Sequence, residues 1–253
     1  MIVRVLERAL AAASVGRAVV ATDDTGILEI VRRHGYEAVM TRAEHASGTD
    51  RLAEAAAAQG QGYDVVVNVQ GDEPLISPRT IDLAVAALAS DTEAQVATTC
   101  EDISDPSDVL SPDVVKVVVD SRGRALYFSR APVPYPRDAA RRHGSLAAAL
   151  REEPDLLSLF AKHTGLYVYR RDFLLRYGGW PQGELERAES LEQLRALERG
   201  AVIRVVRTDE PSIGVDTEED LERVREIYEA GDGGWGLGVG EKQVDPLSPT
   251  PIP

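Results

Sequence analysis

The stretch at residues 64–74, DVVVNVQGDEP, limits what this chain can fold into more than any other. Val65, Val66 and Val67 follow one another with no polar break, the pattern of a strand covered on both faces. The run ends abruptly at Gln70, Gly71, Asp72, Glu73 and Pro74. Gly71 permits a tight turn or a close backbone approach, and Pro74 ends the ladder. In open parallel sheets, ligands bind beyond the carboxyl ends of the strands. Asp72 and Glu73 are therefore expected where a metal-bound phosphate lies; an acidic turn that merely solvates the strand end is the competing reading.

Around this stretch the periodicity alternates. Ile2, Val5, Leu6, Ala9 and Leu10 form a helical stripe. Residues 17–22 and 36–41 read as strands, and 25–34 as a helix closed by Gly35. A third helix, capped by Ser47 or Thr49, runs to about residue 59, and Ser77-Pro78 starts a fourth with cap and proline in their preferred places. Such alternation predicts an α/β fold, a Rossmann-like three-layer sandwich with a mixed, mostly parallel sheet. Beyond it, residues 95–100, 114–120 and 124–128 read as strands with short connections, and Ser121-Arg122-Gly123 as a hairpin turn. Residues 131–162 are long, Pro-rich at first, with a short helix at 146–151. Strands at 164–170 and 202–207, a helix at 190–199 and a last helix opened by Thr217 and Asp220 complete the pattern. Residues 1–230 form one domain; 231–253, rich in glycine then proline with no apolar period, read as a disordered tail.

Composition narrows the function. A net charge of −14 argues against nucleic acid or an anionic membrane surface as partner. An anionic substrate then needs local arginines or a metal. Cys100 is the one cysteine, which excludes an internal disulfide and suits a reducing, cytoplasmic setting. It lies in a strand-like VATTC run, where a buried inert thiol is expected. No apolar run has the length of a membrane span.

Several side chains could carry chemistry. Asp216, just before a helix, is either a metal ligand or a cap. Magnesium on a nucleotide takes one or two carboxylates plus phosphate oxygens, and Asp72 with Asp216 meet that need if their loops converge. Arg130, at the end of the strand RALYF, could grip a carboxylate in bidentate fashion or lie solvated in its loop. His163 and Tyr167 flank the start of another strand. Glu192 and Gln193 lie in an amphipathic helix, whose default is surface solvation. His45 and Ser47 occupy a glycine-containing loop after a strand, where a base or phosphate contact competes with a plain connection.

The ordered runs TRAEHASGTDRLAE, VNVQGDEP, VKVVVD, ALYFSRAPVPYPR, KHTGLYVYR, LEQLR and GVDTEEDLERV resemble the 3-deoxy-manno-octulosonate (Kdo) cytidylyltransferases, over residues 1–228. The resemblance implies a nucleotide-diphospho-sugar transferase-like fold, a cytoplasmic homodimer of lipopolysaccharide synthesis, and the reaction of CTP with Kdo to CMP-Kdo and pyrophosphate. It implies Mg²⁺ on Asp72 and Asp216. It assigns the sugar to Arg130, His163, Tyr167, Glu192 and Gln193, and the cytidine to the loop of Arg42, His45, Ser47 and Gly48 with Gln70 nearby. The competing readings are an inactive, truncated protein that only binds sugar or nucleotide, and a cytidylyltransferase for another acidic sugar such as sialic acid.

One departure matters. Members of that family open with a strand and a loop of the form PARYxSTRLPGKPM, whose Arg and Lys hold the triphosphate; here Met1-Ile2 matches the two residues just after that loop. The expectation is an open slot in the sheet beside DVVVNVQ and weak CTP binding.

Overall fold

The computed structural model describes residues 1–229 except 46, 61, 211, 212 and 216. The expected tail at 231–253 and the candidate ligand Asp216 lie outside the described residues.

The chain opens with α1 (Ile2–Ala11), then β1 (Val19–Thr22), α2 (Thr25–Arg33), β2 (Glu37–Met40), α3 (Gly48–Ala58), β3 (Val65–Asn68) and α4 (Pro78–Ser90). The caps are the expected ones. Ser47 Oγ accepts from Asp50 N, and Ser77 Oγ from Arg79 N with Pro78 in the first turn. Next come β4 (Val96–Asp102), α5 (Pro106–Leu110), β5 (Lys116–Val119) and β6 (Ala125–Ser129). Gly123, at φ +72°, closes the β5–β6 hairpin, its N–H donating to Asp120 O at 2.9 Å. The Pro-rich stretch holds α6 (Arg137–His143), α7 (Leu146–Glu152) and a 3-10 turn (Pro154–Leu159), of which only α7 was legible in the sequence. The long β7 (Ala161–Arg170) precedes α8 (Arg171–Tyr177), α9 (Glu184–Glu189), α10 (Gln193–Glu198), β8 (Ile203–Arg207) and α11 (Glu218–Glu229). Thr217 and Asp220 cap α11 reciprocally, at 2.9 and 3.1 Å.

The main sheet has six strands. Five follow the order β6-β5-β7-β4-β8, and β3 pairs with β7 beside β5. Directions make it mixed: β3, β4, β5 and β8 run one way, and β6 and β7 the other. The reversed β7 sits at the centre, so its ladders to β3, β4 and β5 are antiparallel. Helices cover both faces. On one side α4 packs Ile81, Ala84 and Leu88 with Ala97, Leu166 and Val168; on the other, Phe173, Leu174, Tyr177 and Leu194 meet Val96, Tyr167, Tyr169 and Ile203. Cys100 is buried in β4, and burial pushes its thiol pKa up, as suits an inert side chain.

DVVVNVQ was expected to be covered on both faces. Instead each residue of β3 is only half-buried. The reason is its neighbourhood: β3 has a ladder to β7 on one edge and, among the described residues, none on the other. β1 and β2 form a separate parallel pair. Helix α1 touches both sheets, Leu6 packing with Val20 and Val31 and Ala9 joining the cluster against Val65 and Val67, yet among the described residues no ladder joins them. Among the described residues β3 thus has one unpaired edge, and an unpaired strand edge favours edge-to-edge association.

Candidate active site

Two loops meet at the end of β3. Asp72 O accepts from Val215 N at 2.9 Å, which lays the segment just before Asp216 against the acidic turn. Gly165 of β7 explains the approach from the other side. A Cβ there would stand 3.1 Å from Glu73 Oε1 and 3.3 Å from Gln70 Cγ, so glycine lets the QGDEP turn lie on the HTGLY strand. Asp72 is half-buried, and its carboxylate has no hydrogen bond or ion pair with another described residue. A hard oxygen donor so placed suits Mg²⁺, which takes few protein ligands when phosphates supply the rest. No cluster of three His, Cys, Asp or Glu side chains that could hold a metal exists among the described residues.

His163 lies in the wall beside this turn. Its Nε2 is 2.9 Å from Thr98 Oγ1, Phe128 meets it edge-on at 4.9 Å, and Tyr167 tilts against it at 5.3 Å. Tyr167, Tyr169, Tyr177, Phe173 and Trp180 continue as an aromatic floor. Burial pushes the His163 pKa down from 6.5 to about 3. The ring is thus neutral, a hydrogen-bonding wall rather than a cation for the substrate.

This depressed pKa makes stability depend on pH. The unfolded chain binds the His163 proton below about pH 6.5 while the folded chain does so only near 3. Stability from this group is full above 6.5 and lost as pH falls, by about 1.4 kcal/mol per pH unit. His163→Gln should therefore lose about 2 kcal/mol less than the unaltered protein between pH 7 and pH 5. Urea melts at the two pH values check this; equal losses refute a buried neutral imidazole.

Glu192 was expected near the sugar, with surface solvation as its default. The structure gives it a specific job. Its carboxylate accepts from Gly48 N and Thr49 N, each at 3.2 Å, and from Thr49 Oγ1 at 2.5 Å. It thereby caps α3, satisfying amide groups that a helix start leaves open. Residues 144 positions apart, expected to serve nucleotide and sugar separately, are thus joined. Gln193 is buried beside it.

A second link lies behind the first and escaped the sequence reading. Arg195, 1% exposed, takes the Glu186 carboxylate in a bidentate pair at 2.6 and 2.7 Å and Asp50 Oδ1 at 2.9 Å, while stacking on Tyr177. Asp50 Oδ2 in turn receives Ser47 Oγ at 2.8 Å. Ser47 is therefore spent on capping. The clue available in the sequence was the charged residue of LEQLR on the side of the helix shared with Leu191 and Leu194.

Two further nucleotide candidates, Arg42 and His45, face a common acid. Arg42, largely exposed, binds Glu54 through Nε at 3.0 Å, and the enclosed His45 ring binds the same carboxylate. Glu54 was not among the candidates. Its pKa is lowered, chiefly by the Arg42 hydrogen bond. Arg130 is not solvated in its loop either: Nε and Nη1 donate to Glu189 O and Pro112 O at 2.7 and 2.9 Å.

A mixed sheet whose acidic strand-end turn faces a polar, aromatic-floored wall defines a nucleotidyltransferase-type fold. The chain belongs to the cytidylyltransferase family, whose model matches residues 1–208. It is 52% identical to the 3-deoxy-manno-octulosonate cytidylyltransferase of Syntrophotalea carbinolica over 88% of this chain and 86% of that one. The same-named protein of Trichlorobacter lovleyi is 47% identical over 91% and 89%. A solved CMP:2-keto-3-deoxy-manno-octonic acid synthetase, complexed with CTP, superposes with a TM-score of 0.79 at 41% identity, covering 90% of this chain and 87% of that one. A cytidylyltransferase from Leptospira borgpetersenii, 14% identical with a TM-score of 0.55 over 90% and 75%, shares the fold.

Proposed function

We propose that this chain is a Kdo cytidylyltransferase, converting CTP and Kdo to CMP-Kdo and pyrophosphate. The observation that carries the reading is the seating of the acidic QGDEP turn on the HTGLY strand at Gly165, beside His163 and Tyr167. The identity to the named relatives supports the substrates.

In this reading the anomeric hydroxyl oxygen of Kdo attacks the α-phosphorus of CTP. An oxygen–phosphorus bond forms, the α–β phosphoanhydride breaks, pyrophosphate leaves, and the hydroxyl proton passes to solvent. Two anions must meet inside an acidic protein. Asp72 and Asp216 would hold Mg²⁺ there, which when bound would supply charge neutralisation. The residues do the rest. His163 and Tyr167 wall the sugar with Glu192 and Gln193 behind, Arg130 faces its carboxylate, and Arg42, His45, Ser47, Gly48 and Gln70 border the cytidine. Holding both substrates in line is most of what such a transfer requires.

We also place the enzyme in the cytoplasm, in lipopolysaccharide assembly, and as a homodimer. The buried lone thiol suits a reducing compartment, and Leu126, 63% exposed on edge strand β6, offers apolar surface to a second copy. Sedimentation of the purified protein tests the dimer. For the reaction, CTP, Mg²⁺ and Kdo should yield CMP-Kdo and pyrophosphate, and sialic acid should react at least about tenfold more slowly, since its different shape leaves buried polar groups unpaired. Faster reaction with sialic acid, or none with either acid, overturns the assignment.

A further inference from the structure

Lys116 interrupts a run of valines, at a position where a strand facing the core should be apolar. It is wholly buried. Its Nζ donates to Ser111 O at 2.7 Å, Val114 O at 2.6 Å and Arg130 O at 2.6 Å. Three carbonyl acceptors use three N–H donors, which only the ammonium form possesses. Burial, and then Arg130, push its pKa down, and the converging carbonyls hold the proton in place. A buried cation is costly, and a leucine or methionine would fill the same space without that cost. What the cation adds is direction, since two of its bonds hold the 111–114 loop and the third holds Arg130.

Glu189 completes the grip from the opposite side. Its carboxylate accepts from Ser129 Oγ at 2.7 Å and from Arg130 N at 2.9 Å. The peptide groups of Arg130 are thus held at both ends, N–H on Glu189 and C=O on Lys116. Pro112 O, in the loop that Lys116 fastens, receives Arg130 Nη1, and Glu189 O receives Nε. Of its five N–H donors, Nη2 has only the long 3.5 Å contact to Ser190 O, which leaves that end of the guanidinium for a ligand.

We propose that Lys116 and Glu189 are positioning residues that aim the Arg130 guanidinium at the carboxylate of the acidic sugar. The proposal rests on Arg130 as the sugar contact in the reading above. Neither residue touches the expected cytidine loop, so their loss should act on one substrate.

Calorimetric titration of the full chain with Kdo, and separately with CTP and Mg²⁺, tests this for the unaltered protein, Lys116→Met and Glu189→Gln. Both variants should bind Kdo at least about tenfold more weakly while the CTP affinity stays within about twofold, because misaiming one charge-assisted pair costs that much. Thermal melts report whether each variant folds; if Lys116→Met does not, Glu189→Gln decides alone. Equal weakening of both ligands, or of neither, overturns the positioning role and leaves the enzyme assignment standing. An unaltered protein that binds CTP but not Kdo overturns the sugar assignment and this inference with it.

Discussion

Arg195→Met should lower the melting temperature by roughly 10 °C. The substitution removes the cation from between two carboxylates, Glu186, which is 4% exposed, and Asp50, which is 14% exposed. Removing one partner of a buried pair costs about 3–5 kcal/mol because the other charge stays behind uncompensated. For a chain of this size each kcal/mol shifts the midpoint by about 2–4 °C. The damage should also be directional. Asp50 ties to Ser47 and Glu186 accepts from Gly183 N at 3.1 Å, so α3 and the α9–α10 segment lose their common anchor. A triple change that makes Arg195, Glu186 and Asp50 apolar together should recover much of the loss, since no charge is then stranded. A shift under about 2 °C for Arg195→Met would show that water reaches the cluster and screens it.

Asp72→Asn should depress CMP-Kdo formation by at least about a hundredfold at saturating substrates, or roughly 3 kcal/mol. The amide keeps the shape and one oxygen but loses the charge that attracts a divalent cation. The Mg²⁺ concentration for half-maximal rate should rise with it, while the fold persists because the contact that fixes this turn, Asp72 O with Val215 N, belongs to the backbone. A normal Mg²⁺ requirement in the variant would remove Asp72 from the metal site.

Individual strands and helices were legible because short-range chemistry decides them. The unbroken valines of β3, Ser77-Pro78 at the start of α4, and Gly123 in the hairpin act within a few residues. The free edge of β3 was not legible in this way, because it depends on which strands pair across the sheet. Nor was the half-burial that results, since a valine run reads alike whether or not a neighbour covers it.

The sequence by itself determined the α/β class, the acidic turn at the end of β3, the inert buried thiol, and the roll of residues from which a site for two anions could be drawn. Tertiary structure decided which of those residues pair with each other. Glu192 reads as a surface acid, and becomes a helix cap because α3 starts within reach of its carboxylate. Arg130 reads either as a carboxylate grip or as a solvated loop cation, and its backbone is fixed because Lys116 and Glu189 hold its peptide groups from two sides. Arg195, not singled out in the sequence, becomes the buried tie between Glu186 and Asp50. The physical reason is common to all three. A charged side chain advertises its demand for a partner in the sequence, but the partner is set by long-range packing, and burial then decides whether that pairing is worth a fraction of a kcal/mol or several.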